Sequence, residues 1–178
     1  MNLFFDIPLH EEDKVVFNAV VEIPRGSRVK YEYNDKLGAM FVDRIFRTPI
    51  DYPQNYGFFP RTWNKYDNDP MDVIIVSSEK FIPGVVVPVR ILGIIEMDDT
   101  GELDHKIIAV PDGHSDYAHC KDISDLDSEV VDNLEWFLGN YKGREPKKEV
   151  KILGIKGHED AIKFLEECSQ EFKDNHRK

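Results

Sequence analysis

The chain has 178 residues, of which 41% are hydrophobic and 32% are charged, a composition that is typical of a soluble globular protein and excludes a disordered or fibrous one. Acidic residues outnumber basic residues by 34 to 23, which gives a formal net charge of -11. A surface of this charge repels nucleic acid and anionic lipid unless a basic patch overrides it, and the lysines and arginines are scattered. The length predicts one domain over residues 1–178.

The amino-terminal residues 1–10 contain no basic leader and no long apolar stretch, so we expect no signal peptide. The longest apolar run, residues 81–95, is interrupted by prolines, glycines and an arginine, and it cannot span a membrane. Cys120 and Cys168 are isolated cysteines, which do not form a disulfide framework. We therefore expect a cytoplasmic protein with two buried thiols and with no membrane or nucleic-acid partner.

The first two thirds of the chain are predicted to form short strands. Residues 15–23 are apolar and β-branched, and residues 29–33 alternate, with Lys30 and Glu32 on one face. Turns rich in proline and glycine separate the further predicted strands, which are residues 40–46, 73–76, 85–95, 106–110 and 151–155.

Two helices are predicted near the carboxyl end. The first presents an apolar face that includes Leu134, Phe137 and Tyr141, with capping candidates in residues 124–128, and the second follows Gly157. Many short strands followed by segregated helices predict an α+β fold. We expect a small closed five-stranded β-barrel of the OB type, with additional strands and two carboxyl-terminal helices packed outside it.

Carboxylates concentrate in two loops. Asp67, Asp69 and Asp72 lie within six residues, and a second acidic group lies in residues 98–104. Oxygen ligands on two adjoining loops can surround hard divalent cations. Spacing alone does not distinguish a metal site from a solvated turn, because Asp, Asn and Pro are also common in turns. A third acidic group, residues 122–127, is interpreted as a turn and a helix start.

The surroundings of these carboxylates leave two interpretations open. The aromatic segment 52–60 is expected to be ordered, because so many rings rarely lie exposed on a loop. Asp43 and Arg44 lie in an apolar strand, and they either lie at the surface or line a polar pocket. The pairs Lys30 with Glu32 and Asp104 with Lys106, like Tyr141 and Lys142 at a helix end, fit either a charged surface or one shared pocket.

These segments resemble, in order, the soluble inorganic pyrophosphatases of the β-barrel family, over roughly residues 20–156. The matching segments are Glu22–Ser27, Val29–Glu32, Val42–Arg44, Tyr52–Gly57, Asp67–Val73, Asp99–Lys106 and Tyr141–Lys142. The combination of Asp-x-Asp-Pro-x-Asp-Val with Tyr-Pro-x-x-Tyr-Gly is the most specific part of the match. One position departs from the family pattern: Asn68 replaces the usual glycine, and asparagine tolerates a positive φ better than other non-glycine residues.

The resemblance implies hydrolysis of pyrophosphate to two phosphates by in-line attack of a metal-bridging water, with several Mg²⁺ ions per active site, some arriving with the substrate. It implies Asp69 as the general base, with Tyr56, Lys30 and Arg44 as further catalytic groups. The implied metal ligands are Asp67, Asp72, Asp99, Asp104 and Glu22. The implied phosphate-binding residues are Lys30, Arg44, Tyr141 and Lys142, and the supporting residues are Glu32, Tyr52 and Lys106. The resemblance also implies a homo-oligomer, with a hexamer favoured.

Two alternatives to this enzyme remain at the level of sequence. The first is a barrel of the oligonucleotide-binding type without catalysis, in which the aromatic segment 52–59 would supply stacking platforms. The second is the same fold with a purely structural metal site.

Overall fold

The computed structural model describes residues 1–10, 15–113, 115–142 and 149–175. Within these ranges the strands are β1 (Phe17–Ile23), β2 (Val29–Asn34), β3 (Ala39–Ile45), β4 (Asn55–Phe58), β5 (Asp72–Ile75), β6 (Val86–Asp99), β7 (Glu102–Leu103), β8 (Lys106–Pro111) and β9 (Val150–Gly157). The α-helices are α1 (Ser128–Asn140) and α2 (His158–Asn175), and two 3₁₀ turns span Ser115–Tyr117 and Ile123–Asp125. No helix in the described ranges is both long enough and apolar enough to span a membrane.

Five strands close into a barrel in the order β1, β4, β5, β8 and β6, and β6 pairs back onto β1 with Phe17 opposite Val89. β5 and β8 run parallel, with Val73 opposite Ile107, whereas the other neighbours in the ring are antiparallel. The long strand β6 extends beyond the ring and also pairs with β7 and β9. The predicted α+β fold is confirmed, with its five-stranded barrel, additional strands and two carboxyl-terminal helices.

The barrel strands are buried on both faces, which explains their continuous apolar sequences. Val73 and Ile75 of β5 point into one hydrophobic cluster, which also contains Leu165 of α2. Ile74 points to the opposite face, into a second cluster that includes Leu134 of α1. The two helices therefore cover different faces of the same sheet, as the alternation of side chains along a strand requires.

β1 and β4 approach each other closely at Gly57. A Cβ atom at this position would lie 1.9 Å from the carbonyl oxygen of Val20, so only glycine fits. This contact holds β4 in the ring and fixes the position of its neighbour Tyr56.

β2 and β3 form a separate two-stranded hairpin in which Lys30 lies opposite Arg44. The hairpin is attached to the barrel by the backbone N–H of Tyr33, which donates to Oε1 of Glu22 at 2.7 Å. The Tyr33 ring also stacks on Phe58, with 5.7 Å between the ring centroids. The hairpin thus presents two basic side chains beside the barrel.

Several element boundaries differ from the predictions. β4 and β7 were not predicted, and β6 continues to Asp99 because its outer half pairs with β9. Among the capping candidates, Asp127 is the N-cap of α1, with its carboxylate accepting the backbone N–H of Glu129 at 2.9 Å. Both cysteines are buried and free, as expected.

Candidate active site

The parallel pair β5 and β8 brings two oppositely charged residues together. Asp72 and Lys106 are the first residues of these strands, and the register of Val73 opposite Ile107 places them side by side. The Lys106 ammonium donates to Oδ2 of Asp72 at 2.5 Å and also to Oδ1 of Asp104. Tyr56 of β4 donates its hydroxyl to the same Asp72 oxygen at 2.6 Å.

Lys106 is a buried cation, with a side chain that is 3% exposed. Burial alone would lower its pKa, but the charges of Asp72 and Asp104 outweigh burial and raise the pKa above its ordinary value. Burial raises the pKa of the Tyr56 hydroxyl as well, with the neighbouring Asp72 adding to the effect. Lys106 therefore stays charged and Tyr56 stays a hydrogen-bond donor at neutral pH.

The turn that precedes β5 carries two further carboxylates. Asn68 has a φ of 59° and its N–H donates to the carbonyl of Asn64 at 2.9 Å. The expectation that Asn68 accepts a positive φ is confirmed. Oδ1 of Asp67 accepts the N–H of Asp69 at 3.1 Å, and this turn brings Asp67 and Asp69 to the same cavity.

Two adjoining cavities contain most of the predicted site residues. The first has a volume of about 200 Å³ and is lined by Lys30, Tyr52, Tyr56, Asp67, Asp69, Asp72, Asp104, Lys106 and Tyr141, among others. The second, of about 350 Å³, shares Lys30, Tyr56, Asp69 and Asp72 with the first and adds Glu22 and Glu32. Residues from six separate segments of the sequence thus border one continuous acidic pocket.

Three predicted residues, Arg44, Asp99 and Lys142, are not among the lining residues of these two cavities in the part of the chain that the structure describes. Lys142 forms an ion pair with Asp99. Arg44 donates from Nε to Asp43 at 2.8 Å, and Lys30 lies 3.4 Å from the same carboxylate. Asp43 is exposed and Arg44 is half-buried, and the contact of Asp43 with Lys30, which lines both cavities, connects the charges of β3 to the pocket.

Aromatic packing fixes the wall on the side of α1. Tyr52 stacks on Phe46, with 5.4 Å between the centroids, and lies 4.9 Å from Phe137, which in turn stacks on Tyr141. Burial raises the pKa of Tyr52 and of Tyr141, so both remain protonated hydroxyls. The aromatic segment is ordered, as expected. The rings of Tyr52, Phe58 and Phe59 are at most 3% exposed, so they offer no stacking platform for bases.

Several carboxyl groups in the pocket are difficult to ionise. Burial, reinforced by nearby carboxylates, raises the pKa of Asp67 to about 8, of Glu22 to about 8 and of Asp69 to about 7. Asp69 is the most exposed of the three, so water screens its charge more and its pKa is raised less than those of the half-buried Asp67 and Glu22. The crowding of negative charge is of the kind that a bound cation relieves.

The ligand chemistry of the pocket fits magnesium, because the acidic groups offer only oxygen atoms. Within the described residues, however, no three acidic, histidine or cysteine side chains are close enough together to enclose an ion as they stand. The Lys106 ammonium lies between Asp72 and Asp104 instead. Lys106 contacts one oxygen of each carboxylate, Oδ2 of Asp72 and Oδ1 of Asp104.

Glu102 and Asn64 contribute to the site, although the sequence assigned neither of them an individual role. Glu102 lines the first cavity, and its place in the acidic segment 98–104 was the available signal. Asn64 is 2% exposed and donates from Nδ2 to Oδ2 of Asp67 at 2.8 Å. No sequence pattern marks Asn64, since its contacts form only when the turn closes.

Fold and site together define a five-stranded barrel protein with an acidic, oxygen-rich pocket beside a basic hairpin. Residues 19–173 match the family model of the inorganic pyrophosphatases. The chain is 44% identical over 141 residues to an inorganic pyrophosphatase of Sulfolobus acidocaldarius, which covers 78% of this chain and 81% of the relative. An inorganic pyrophosphatase of Helicobacter pylori is 39% identical over 161 residues, covering 89% of this chain and 91% of the relative.

The same family appears among solved structures. The crystal structure of inorganic pyrophosphatase from Thermus thermophilus superposes with a TM-score of 0.92 at 35% identity, covering 97% of this chain and 99% of that one. The chain belongs to the inorganic pyrophosphatase family, and the resemblance inferred from the sequence is confirmed.

Proposed function

We propose that this protein hydrolyses inorganic pyrophosphate to two phosphates in a magnesium-dependent reaction at the acidic pocket. The main support for this proposal is that Asp67, Asp69, Asp72 and Asp104 line one cavity in a chain of this family. Relatives with the same fold carry the name inorganic pyrophosphatase.

Asp67, Asp72 and Asp104 are the groups that would hold magnesium, with Asp99 and Glu22 at the margins of the site. When bound, Mg²⁺ neutralises carboxylate and phosphate charge and makes a coordinated water more acidic. Lys106 competes for the same carboxylates, because its ammonium contacts both Asp72 and Asp104.

The phosphate groups would be bound by Lys30, Arg44, Tyr141 and Lys142. Burial alone would lower the pKa of Lys30, but Glu32 and Asp43 outweigh it and raise the pKa, so the ammonium is charged at neutral pH. Lys30 pairs with Glu32, and Lys142 pairs with Asp99. Phosphate oxygens can replace these carboxylates as partners and so neutralise the charge that develops during transfer.

Asp69 is the group best placed to accept a proton from the attacking water. It lines both cavities, and in the metal-free protein its pKa is raised to about 7, first by burial and then by Asp72 and Glu32. A base whose pKa lies near the working pH combines a useful ionised fraction with a real affinity for the proton. Tyr56 cannot take this role, because its pKa is raised and its hydroxyl proton is directed at Asp72.

The direct test measures phosphate release from pyrophosphate by purified protein with excess Mg²⁺ and again with excess chelator. We expect fast release with Mg²⁺ and none with chelator, because the acidic pocket repels the substrate when no cation is present. A folded protein that releases no phosphate with Mg²⁺ contradicts the proposal. Release that continues in chelator contradicts the metal requirement alone.

We also infer a single domain over residues 1–178, a cytoplasmic location and a homo-oligomer, with a hexamer favoured. The family match over residues 19–173 supports the first inference, and the two free, buried cysteines are compatible with a reducing compartment. Light scattering on the protein as it elutes from a sizing column tests the oligomeric state.

A further inference from the structure

Asn64 closes the turn that carries Asp67 and Asp69. Its backbone N–H donates to the carbonyl of Asp69 at 2.8 Å, and its carbonyl accepts the N–H of Asn68 at 2.9 Å. The residue is 2% exposed, so its polar side chain needs partners inside the protein.

The Asn64 amide makes three side-chain hydrogen bonds. Nδ2 donates to Oδ2 of Asp67 at 2.8 Å and to the carbonyl of Leu103 at 3.0 Å, and Oδ1 accepts the N–H of Tyr66 at 3.2 Å. Because the Leu103 carbonyl only accepts and the Tyr66 N–H only donates, the orientation of the amide is fixed.

This amide connects the two acidic segments of the pocket. Asp67 belongs to the first, and Leu103 directly precedes Asp104 in the second. The Asp67 carboxylate is held at both oxygens, since Oδ1 accepts the N–H of Asp69 while Oδ2 accepts from Asn64. Each oxygen has a second lone pair that can bind a cation.

We propose that Asn64 is a positioning residue that sets the magnesium affinity of the pocket by fixing Asp67 relative to Asp104. The inference rests on the proposed use of magnesium. Mg²⁺ requires near-ideal octahedral geometry, so carboxylates that are already held in place bind it more tightly than mobile ones. Loss of an outer partner of a metal ligand typically costs about 10- to 100-fold in metal affinity.

The test measures Mg²⁺ binding by isothermal titration calorimetry without substrate, on the wild-type protein and on Asn64→Ala. Asn55→Ala is the matched control, because Asn55 is also a fully buried amide whose partners, the N–H groups of Arg25 and Phe81 and the carbonyl of Glu79, lie outside the acidic pocket. We expect the dissociation constant for Mg²⁺ to rise about 10- to 100-fold in Asn64→Ala and to change little in Asn55→Ala.

Both variants lose buried hydrogen bonds, so we expect a similar loss of stability in chelator. The Mg²⁺ affinity distinguishes a residue that positions a metal ligand from one that only stabilises the fold. If Asn64→Ala does not fold, Asn64→Ser provides the same comparison with a smaller polar side chain. Unchanged Mg²⁺ affinity in a folded Asn64 variant overturns this inference and leaves the proposed function intact. A wild-type protein that binds no Mg²⁺ overturns both.

Discussion

The ammonium of Lys106 lies 2.5 Å from Oδ2 of Asp72, and the lysine side chain is only 3% exposed. Lys106 also contacts Asp104, so one buried cation serves two carboxylates. Without a metal, this lysine is the group that keeps the two negative charges compatible with burial. Removal of one partner from a buried ionic group leaves uncompensated charge.

We therefore expect Lys106→Met to destabilise the metal-free protein by about 3–5 kcal/mol. Added Mg²⁺ should raise the melting temperature of this variant more than that of the wild type, since it replaces the lost cation. Thermal unfolding in chelator and in Mg²⁺ measures both effects. Lys156→Met is the control, because Lys156 forms an ion pair with Glu96 at the surface, where solvent screens the interaction and the pair contributes little to stability. Equal stabilisation of Lys106→Met and wild type by Mg²⁺ would contradict this role.

The stability of the metal-free protein should fall as the pH rises from about 6.5 to about 8. The pKa of Asp67 and of Glu22 is raised to about 8 in the folded protein, so these groups keep a proton that the unfolded chain has already lost. Where the folded state binds more protons, the free energy of unfolding decreases with pH, by at most about 1.4 kcal/mol per pH unit for each group.

The pH window begins near 6.5 because of His105. Burial lowers the pKa of His105 in the folded protein, so below about pH 6.5 this residue makes the stability increase with pH and opposes the effect of the carboxyl groups. Urea unfolding at several pH values in chelator measures the slope. Excess Mg²⁺ should weaken or remove the dependence, because the metal displaces these protons. A stability that increases over this window in chelator would show that the carboxyl groups are ionised in the folded protein.

Asp72→Asn should lower the turnover of pyrophosphate by at least about 100-fold while the fold is retained. Loss of a residue that binds the metal directly should cost more than loss of a hydrogen-bond partner of such a residue. The substitution removes a charge that would hold magnesium and disturbs the acceptor shared by Tyr56 and Lys106. Steady-state phosphate release measures the turnover, and circular dichroism shows whether the fold is retained.

The control for this change is Asp125→Asn, from the third acidic group. The Asp125 carboxylate accepts the backbone N–H groups of Lys121 at 2.7 Å and Asp122 at 3.0 Å, in a turn that lines neither cavity of the site. Its turnover should remain near that of the wild type. A large loss of turnover in Asp125→Asn would show that the active pocket has been assigned to the wrong acidic group.

Lys142→Ala should raise the KM for pyrophosphate by about 10-fold or more, the equivalent of one hydrogen bond to a charged group. Lys142 is paired with Asp99, and a phosphate group would be its alternative partner. Lys151→Ala, which removes an exposed ammonium paired with Glu149, is the matched control. If the two variants have the same KM as the wild type, Lys142 belongs to the protein surface and not to the substrate site.

Much of the fold could be predicted because local patterns carry it. Continuous apolar strands, such as residues 73–76, indicate a sheet that is buried on both faces, and Leu134 and Phe137 indicate the buried face of α1. β4 was missed because its sequence, Asn-Tyr-Gly-Phe, lacks an alternating pattern. It forms a strand through pairing with both β1 and β5, and the pairing with β1 requires glycine at position 57.

The sequence by itself determined which residue types are present and in which order, including the carboxylates of residues 67–72 and the tolerance of Asn68 for a positive φ. Only the tertiary structure decided which charges meet. The parallel register of β5 and β8 places Lys106 against Asp72, and the closed turn places the Asn64 amide against the carbonyl of Leu103. Electrostatic and hydrogen-bonding contacts depend on distances of a few ångströms, and such distances between residues remote in sequence exist only after the barrel has closed.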